Sequence, residues 1–158
     1  MSRDIIIALS PILVLCMTVA AGPVLGDIQP MIRGDFEAAG LTEGQVCPFL
    51  ESLQAAVRRR DAAAVSTFAS FPLSVTRKTG SGWVRSKAEF VKQFPSIFDP
   101  DVRKEVLSQR CEELFASSHG VTTSAMSVWF MNVCDPNEPP GACKKMRILM
   151  VAVNLHGR

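Results

Sequence analysis

Between Thr42 and Arg60, apolar residues recur at Val46, Phe49, Leu50, Leu53, Ala56 and Val57. Steps of three and four predict one apolar face of a helix. Thr42 and Gln45 fit a capping box at its start, and Arg58, Arg59 and Arg60 fall where the helix dipole favours cations. Asp61 then serves as the cap of a second short helix through Ala62, Ala63, Ala64, Val65 and Phe68 to about Ser70, stopped by Pro72. Leu73 to Lys78 alternates apolar with polar residues, and Thr79-Gly80-Ser81-Gly82 supplies turn residues before Trp83-Val84-Arg85. That pattern predicts a small hairpin.

Ser86-Lys87-Ala88-Glu89 is a second capping box, opening a helix with Phe90, Val91 and Phe94 inward until Pro95 breaks it. Asp99-Pro100 opens another, with Val102, Val106, Leu107, Leu114 and Phe115 inward until Gly120 ends the segment. From Val121 to Val133 the pattern becomes strand-like: Met126, Val128 and Phe130 share one facing, Trp129, Met131 and Val133 the other. Met146 to Leu155 is similar. Both runs are apolar on both faces, which predicts central strands with one face under helices and the other covered by something else. Helices first and sheet afterwards make an α+β class, with N-terminal helices packed on a curved antiparallel sheet.

The chain's beginning has a different pattern. Met1 to Asp4 carries Arg3, and Ile5 to Ala21 is a nearly unbroken apolar run ending in small residues. That is the layout of a secretory signal peptide. Cleavage after Ala21 or after Gly26 fits, and Gly26 is preferred, giving residues 1–26 as signal peptide. An uncleaved membrane anchor is the alternative, since about 18 apolar residues can span a bilayer, but Ser10 and Pro11 interrupt the run. Asp27 to Leu41 is polar and contains glycine, which makes 27–41 a flexible lead and 42–158 a single domain. The expected location is the periplasm or the exterior, with no membrane attachment after cleavage.

Composition narrows the function. The 17 Lys and Arg against 15 Asp and Glu leave a net charge of only +2, spread along the chain, so nucleic-acid binding has no electrostatic support. Tyr is absent and His occurs twice, so the inventory of acid–base groups is thin. Of the five Cys, Cys16 leaves with the signal peptide, and Cys47, Cys111, Cys134 and Cys143 remain. An even number in an exported chain reads as two disulfides. Three pairings are open; proximity favours Cys134 with Cys143, closing the turn Asp135-Pro136-Asn137-Glu138-Pro139-Pro140-Gly141-Ala142, which leaves Cys47 with Cys111. A zinc site from the four is the weaker alternative, because no pair has the close spacing of a ribbon or finger. No metal and no cofactor are expected.

Phe49-Leu50-x-x-Leu53-Gln54-x-Ala56-Val57, Asp61-x-Ala63-Ala64-Val65 and Phe71-Pro72-Leu73-Ser74-Val75 are followed by Ser86 to Val91, Ile97 to Arg103, Glu113-Leu114-Phe115 and Gly120-Val121 up to Val128-Trp129-Phe130. In this order the phrases resemble small exported bacterial members of the nuclear transport factor two superfamily, also called SnoaL-like or cystatin-like, over about Gly44 to Leu155. The resemblance implies a cone-shaped α+β domain. Most of these positions are core and cap residues, so they speak to fold rather than function. Some members of that superfamily isomerise or hydrate small molecules, and others bind or scaffold. Its isomerase branch relies on an acidic base with Tyr or a protonated acid, and its cyclase branch on His with Asp. Here there is no Tyr, and neither His119 nor His156 falls in a matching phrase. Catalytic residues are therefore not assigned.

Trp83 with Arg85, and Met126 with Trp129 and Met131, are candidates to line a ligand pocket, since aromatic and Met side chains adapt to apolar ligands. Core packing is their competing explanation. Arg58, Arg59 and Arg60 could hold an anion, though a basic run at a helix end ordinarily compensates the dipole. His119 could titrate near neutrality, though such a residue more often caps a helix end. Asp99 with Asp101, and Glu112 with Glu113, read as helix-start and surface acids rather than a two-carboxylate site. The leading expectation is an exported, non-catalytic protein that binds a small apolar or amphiphilic ligand or a partner. An isomerase, dehydratase or cyclase is the second, and a periplasmic inhibitor or immunity-type interaction protein the third. A homodimer through Trp129, Met131, Leu149 and Val151 is expected to cover the second sheet face; its rival is the lead folding back with Ile28, Met31, Ile32 and Phe36.

Overall fold

The computed structural model describes residues 32–155 except 136, 140 and 142. The expected signal peptide lies outside the described residues. Within them the chain runs β1 (Ile32–Arg33), α1 (Glu43–Arg58), α2 (Ala62–Ser66), β2 (Ala69–Arg77), β3 (Gly80–Val84), α3 (Lys87–Ile97), α4 (Pro100–Ser108), β4 (Phe115–Ser117), β5 (Gly120–Thr122), β6 (Val128–Cys134) and β7 (Met146–Asn154). Helices come first and most of the sheet follows, as the α+β pattern predicts.

The helix starts are set by local chemistry. Gln45 Oε1 accepts the Thr42 backbone N–H at 3.0 Å, Asp61 Oδ1 accepts that of Ala64 at 2.9 Å, Ser86 Oγ that of Glu89 at 3.2 Å and Asp99 Oδ1 that of Val102 at 2.9 Å. Each takes up a backbone donor that has no partner inside its helix. Val46, Leu50, Leu53, Ala56 and Val57 on α1 are all buried, so its three-and-four spacing does face the core. Phe90, Phe94 and Phe98 supply the aromatic side of the same core, with Ile97 packed among them.

The sheet order is β1-β4-β5-β6-β7-β2-β3, with β1 a two-residue edge beside six longer strands. It is mixed rather than wholly antiparallel, because β2 pairs parallel to β7 while all other neighbours are antiparallel. The parallel pair has a long crossover through β3, α3, α4 and the remaining strands, which is what such a pair requires. Sequence patterning shows that both strands are apolar but carries no information on their relative direction. The sheet is mostly antiparallel and not strongly curled. Val75, Val153 and Val128 line up across three strands on the helix side, all fully buried.

Four expectations change. Helix α3 runs through Pro95 to Ile97. Pro95 removes one bond to the Val91 carbonyl, but both residues are exposed, so water can reach that carbonyl; Val91 itself is 41% exposed rather than inward. Helix α4 ends at Ser108, far short of Gly120, because Gln54 Nε2 reaches from α1 to donate to the Val106 and Gln109 carbonyls at 2.9 and 2.7 Å. A 3-10 turn at Cys111–Glu113 then leads into β4. The run 121–133 is a hairpin, not one strand: Thr122 pairs with Trp129, and Met126 sits in the intervening turn with φ 60°. Finally, the 27–41 lead is packed where it is described. β1 pairs with β4, and Phe36 and Leu41 are buried in the helix-side core.

Gly120 opens β5 where that strand runs close against β6. Its φ is +114°, and a Cβ there would collide with the Phe130 carbonyl and stand 2.8 Å from Met131 Cγ. Only glycine fits such an approach between neighbouring strands.

Two disulfides tie these elements. Cys47 on α1 joins Cys111 after α4, with Cα atoms 5.4 Å apart, and Cys134 at the end of β6 joins Cys143 before β7, with Cα atoms 5.2 Å apart. The zinc alternative is thereby overturned. Two disulfides point to an oxidising, extracytoplasmic compartment. Among the described residues no helix is long and apolar enough to cross a membrane.

Candidate functional site

A cleft of about 370 Å³ opens between α1, the end of α2 and the β6–β7 pair. Gln45 and Phe49 reach it from α1, Thr67 and Phe68 from beyond α2, Asn132 from β6, and Met146 and Ile148 from β7, whose neighbours Arg147 and Leu149 border it along the strand but alternate to the outer face. The Phe49 ring meets Phe68 at 5.6 Å and Phe130 at 5.1 Å, both edge-on, so the inner wall is aromatic. Asn132 and Ile148 are cross-strand partners. Directly opposed residues project to the same face, so the amide of Asn132 and the aliphatic chain of Ile148 stand side by side in the wall. Among the described residues Arg147 is the only ionisable one bordering the cleft, and its side chain turns to the outer face beside Asp135.

The rim is braced by the Cys134–Cys143 hairpin end. Cys134 pairs with Met146 across the strands, and Arg147 Nη1 lies 3.8 Å from Asp135 Oδ1. That carboxylate also accepts the Asn137 backbone N–H at 3.0 Å and the Asn137 side-chain amide at 2.8 Å. The Asn137 backbone N–H holds the Asp135 carboxyl below the usual carboxylate range, helped by that amide and by Arg147 and Lys145, against a smaller desolvation effect. A depressed folded value means that this contact's contribution is complete above the ordinary Asp pKa of about 3.9. It is lost as pH falls through the lowered value. A carbon-13 titration of the Asp135 carboxyl is expected to give a midpoint below that of an unfolded Asp, shifted upward in Asn137→Gly. A midpoint at or above the ordinary value would contradict the hydrogen-bonding account.

The residues singled out in the sequence lie elsewhere. Trp83 (61% exposed) pairs with Ser74, Ser74 with Ala152, and Ala152 with Trp129, which places both Trp residues in one row on the outer sheet face. Three strand spacings, about 14 Å, separate them. They share a face but not a pocket. Arg85 follows β3 and donates its backbone N–H to Glu89 Oε2 at 2.8 Å, while Met126 is 43% exposed at the β5–β6 turn. On the outer face Met131 is 36% exposed and Trp129 half-buried, whereas Leu149 is already 2% exposed within one chain. Leu149 is thus covered without a second copy.

His119 lies in the β4–β5 turn, not at a helix end, with its backbone N–H on Ser117 Oγ at 3.2 Å. Asp99 is engaged as the α4 cap, and Glu112 pairs with Arg110 at the surface. Among the described residues no group of three His, Cys, Asp or Glu side chains is placed to hold a metal ion.

The lining residues Phe49, Phe68 and Ile148 were read from the sequence only as core or strand positions. Asn132 was the available signal, as the polar residue within Val128 to Val133, which is otherwise apolar on both faces. Comparison with protein-family models, curated proteins and solved structures finds no significant match to this chain. The class that the geometry defines is an α+β domain with a mixed sheet and a half-open amphipathic cleft.

Proposed function

We propose that this is an exported, non-catalytic binding protein whose cleft between α1 and β6–β7 takes a small amphiphilic ligand. The observation that carries this reading is the lining itself: Phe49, Phe68 and Ile148 offer apolar surface, and Gln45, Thr67 and Asn132 offer polar groups around it. An apolar wall with a few polar groups is the ordinary make-up of a small-molecule site. Among the described residues no carboxylate, imidazole or thiol lines the cleft, which supports binding over acid–base chemistry. The Gln45 and Asn132 amides and the Thr67 hydroxyl can donate hydrogen bonds to a carboxylate head. The order of helices, hairpin and terminal strands supports the nuclear transport factor two-like reading of the domain, and the two disulfides support export to the periplasm or beyond.

Titration with dodecanoate, followed by calorimetry, tests the proposal. The unmodified protein is expected to bind, and Asn132→Trp, which fills the cleft from a strand position, is expected to weaken binding at least about tenfold by steric exclusion. Circular dichroism checks that the variant is folded. Absence of dodecanoate binding, or equal affinity in a folded Asn132→Trp variant, would overturn the assignment.

A further inference from the structure

We propose that a second site, walled by Arg60 and Arg103 above Phe94, Pro95 and Phe98, binds a small aromatic carboxylate. These five residues line a cleft of about 360 Å³ formed where the α1–α2 junction meets the end of α3 and the first part of α4. The Phe94 and Phe98 rings stack on each other with centroids 5.3 Å apart and planes 19° from parallel; both are buried and form the closed apolar base of the cleft, with Pro95 exposed beside them. That volume lies at the small end of ligand pockets, which run from about 300 to 1,000 Å³.

The backbone beneath Arg60 carries the argument further. Helix α1 closes with the Arg60 N–H on the Val57 carbonyl at 3.0 Å and the Asp61 N–H on the Ala56 carbonyl at 3.2 Å. This is a Schellman closure, and Arg60 occupies the position where glycine is the usual residue. Its φ of 54° is left-handed, a conformation that a side chain disfavours. Local structure alone would favour glycine there, so the retained side chain points to a use for it. Arg103 lies one turn into α4, near the end where the helix dipole disfavours a cation.

Neither guanidinium has a hydrogen bond or ion pair among the described residues. Asp61, beside Arg60, caps the Ala64 N–H at 2.9 Å; of the acids near Arg103, Asp99 accepts the Val102 N–H at 2.9 Å, Glu105 accepts the Ala125 N–H at 3.0 Å, and Asp101 sits in the first turn of α4. Two unpaired guanidinium groups over an apolar base match a ligand with a carboxylate head and a flat ring. The planar fork of Arg suits a carboxylate and stacks on an aromatic ring, and the exposed Pro95 offers an apolar surface for the ring to pack on.

Phenylacetate is the probe, titrated into the full exported chain and followed by amide chemical shifts, with acetate and benzyl alcohol as head-only and ring-only controls. Phenylacetate is expected to bind at least about tenfold more tightly than either control, with shifts centred on residues 60, 94, 98 and 103. Arg103→Met and Arg60→Met should each weaken it about tenfold or more, a loss of roughly 1.4 kcal/mol per decade. Arg60→Gly should lose binding to the same degree while raising Tm by about 3 °C, since glycine relieves the left-handed backbone. A residue kept only for stability would show the opposite Tm change. Asn132→Trp should leave phenylacetate binding intact, so failure at this cleft and failure at the first are read separately. Phenylacetate binding no tighter than acetate, or unchanged in both Arg→Met variants, would overturn the proposal.

Discussion

Replacing Cys47 and Cys111 together by serine is expected to lower the unfolding free energy by about 4 kcal/mol, the larger of the two disulfide effects. The bridge spans 64 residues, against 9 for Cys134–Cys143. In the chain-entropy account a cross-link restricts the unfolded ensemble roughly as the logarithm of the loop it closes, which gives about 4 kcal/mol for the long loop and about 2.5 for the short one. The long bridge also holds α1 beside the turn after α4, where Gln54 donates to the Val106 and Gln109 carbonyls. Its loss removes a constraint on the contact that ends α4. Guanidinium unfolding of the two double-serine variants measures both effects. A Cys134→Ser/Cys143→Ser variant less stable than its Cys47→Ser/Cys111→Ser counterpart would contradict the loop-length argument.

Phe90→Ala is expected to cost about 3–5 kcal/mol, the range for emptying a buried aromatic position. Phe90 is fully buried on α3 and meets three rings: Phe71 at 6.1 Å, Phe94 at 5.9 Å and Phe98 at 6.1 Å. Its side chain therefore bridges β2 to the whole aromatic side of the core. Removing it leaves a void between elements held by their own caps and strand pairs, so the surroundings collapse only in part. Val91, the next residue on the same helix, is the control. Being exposed, Val91→Ala should change stability by no more than about 0.5 kcal/mol. A loss below about 1.5 kcal/mol for Phe90→Ala in urea unfolding would show that the ring cluster relaxes around the gap far more than close packing allows.

The candidate cleft was less legible than the core because its residues come from four places in the chain. Phe49 obeys the same helical spacing as Leu50 and Leu53, so periodicity places it on the apolar face without saying that it borders a cleft. Phe68 follows the end of a five-residue helix, and its contact with Phe49 depends on the α1–α2 turn angle. Trp83 and Trp129 drew attention by residue type. The register separates them by two intervening strands, a fact available only once β2 and β7 are paired.

What the sequence alone determined was local: the starts of four helices, the inward face of α1, the β2–β3 hairpin and the even set of four cysteines. Each of these depends on groups a few residues apart, such as Asp61 with Ala64 or Asp99 with Val102, so a short window contains the whole interaction. What tertiary structure decided were the ends and the partners. Helix α4 stops at Ser108 under a side chain from 55 residues away, Pro95 is tolerated because its helix face is wet, and the 121–133 run folds at Met126 to satisfy pairing with β7. The parallel β2–β7 pair is the clearest case. Strand direction is set by the path of the intervening chain and by burial of Val75, Val153 and Val128 under the helices, and no pattern within either strand encodes it.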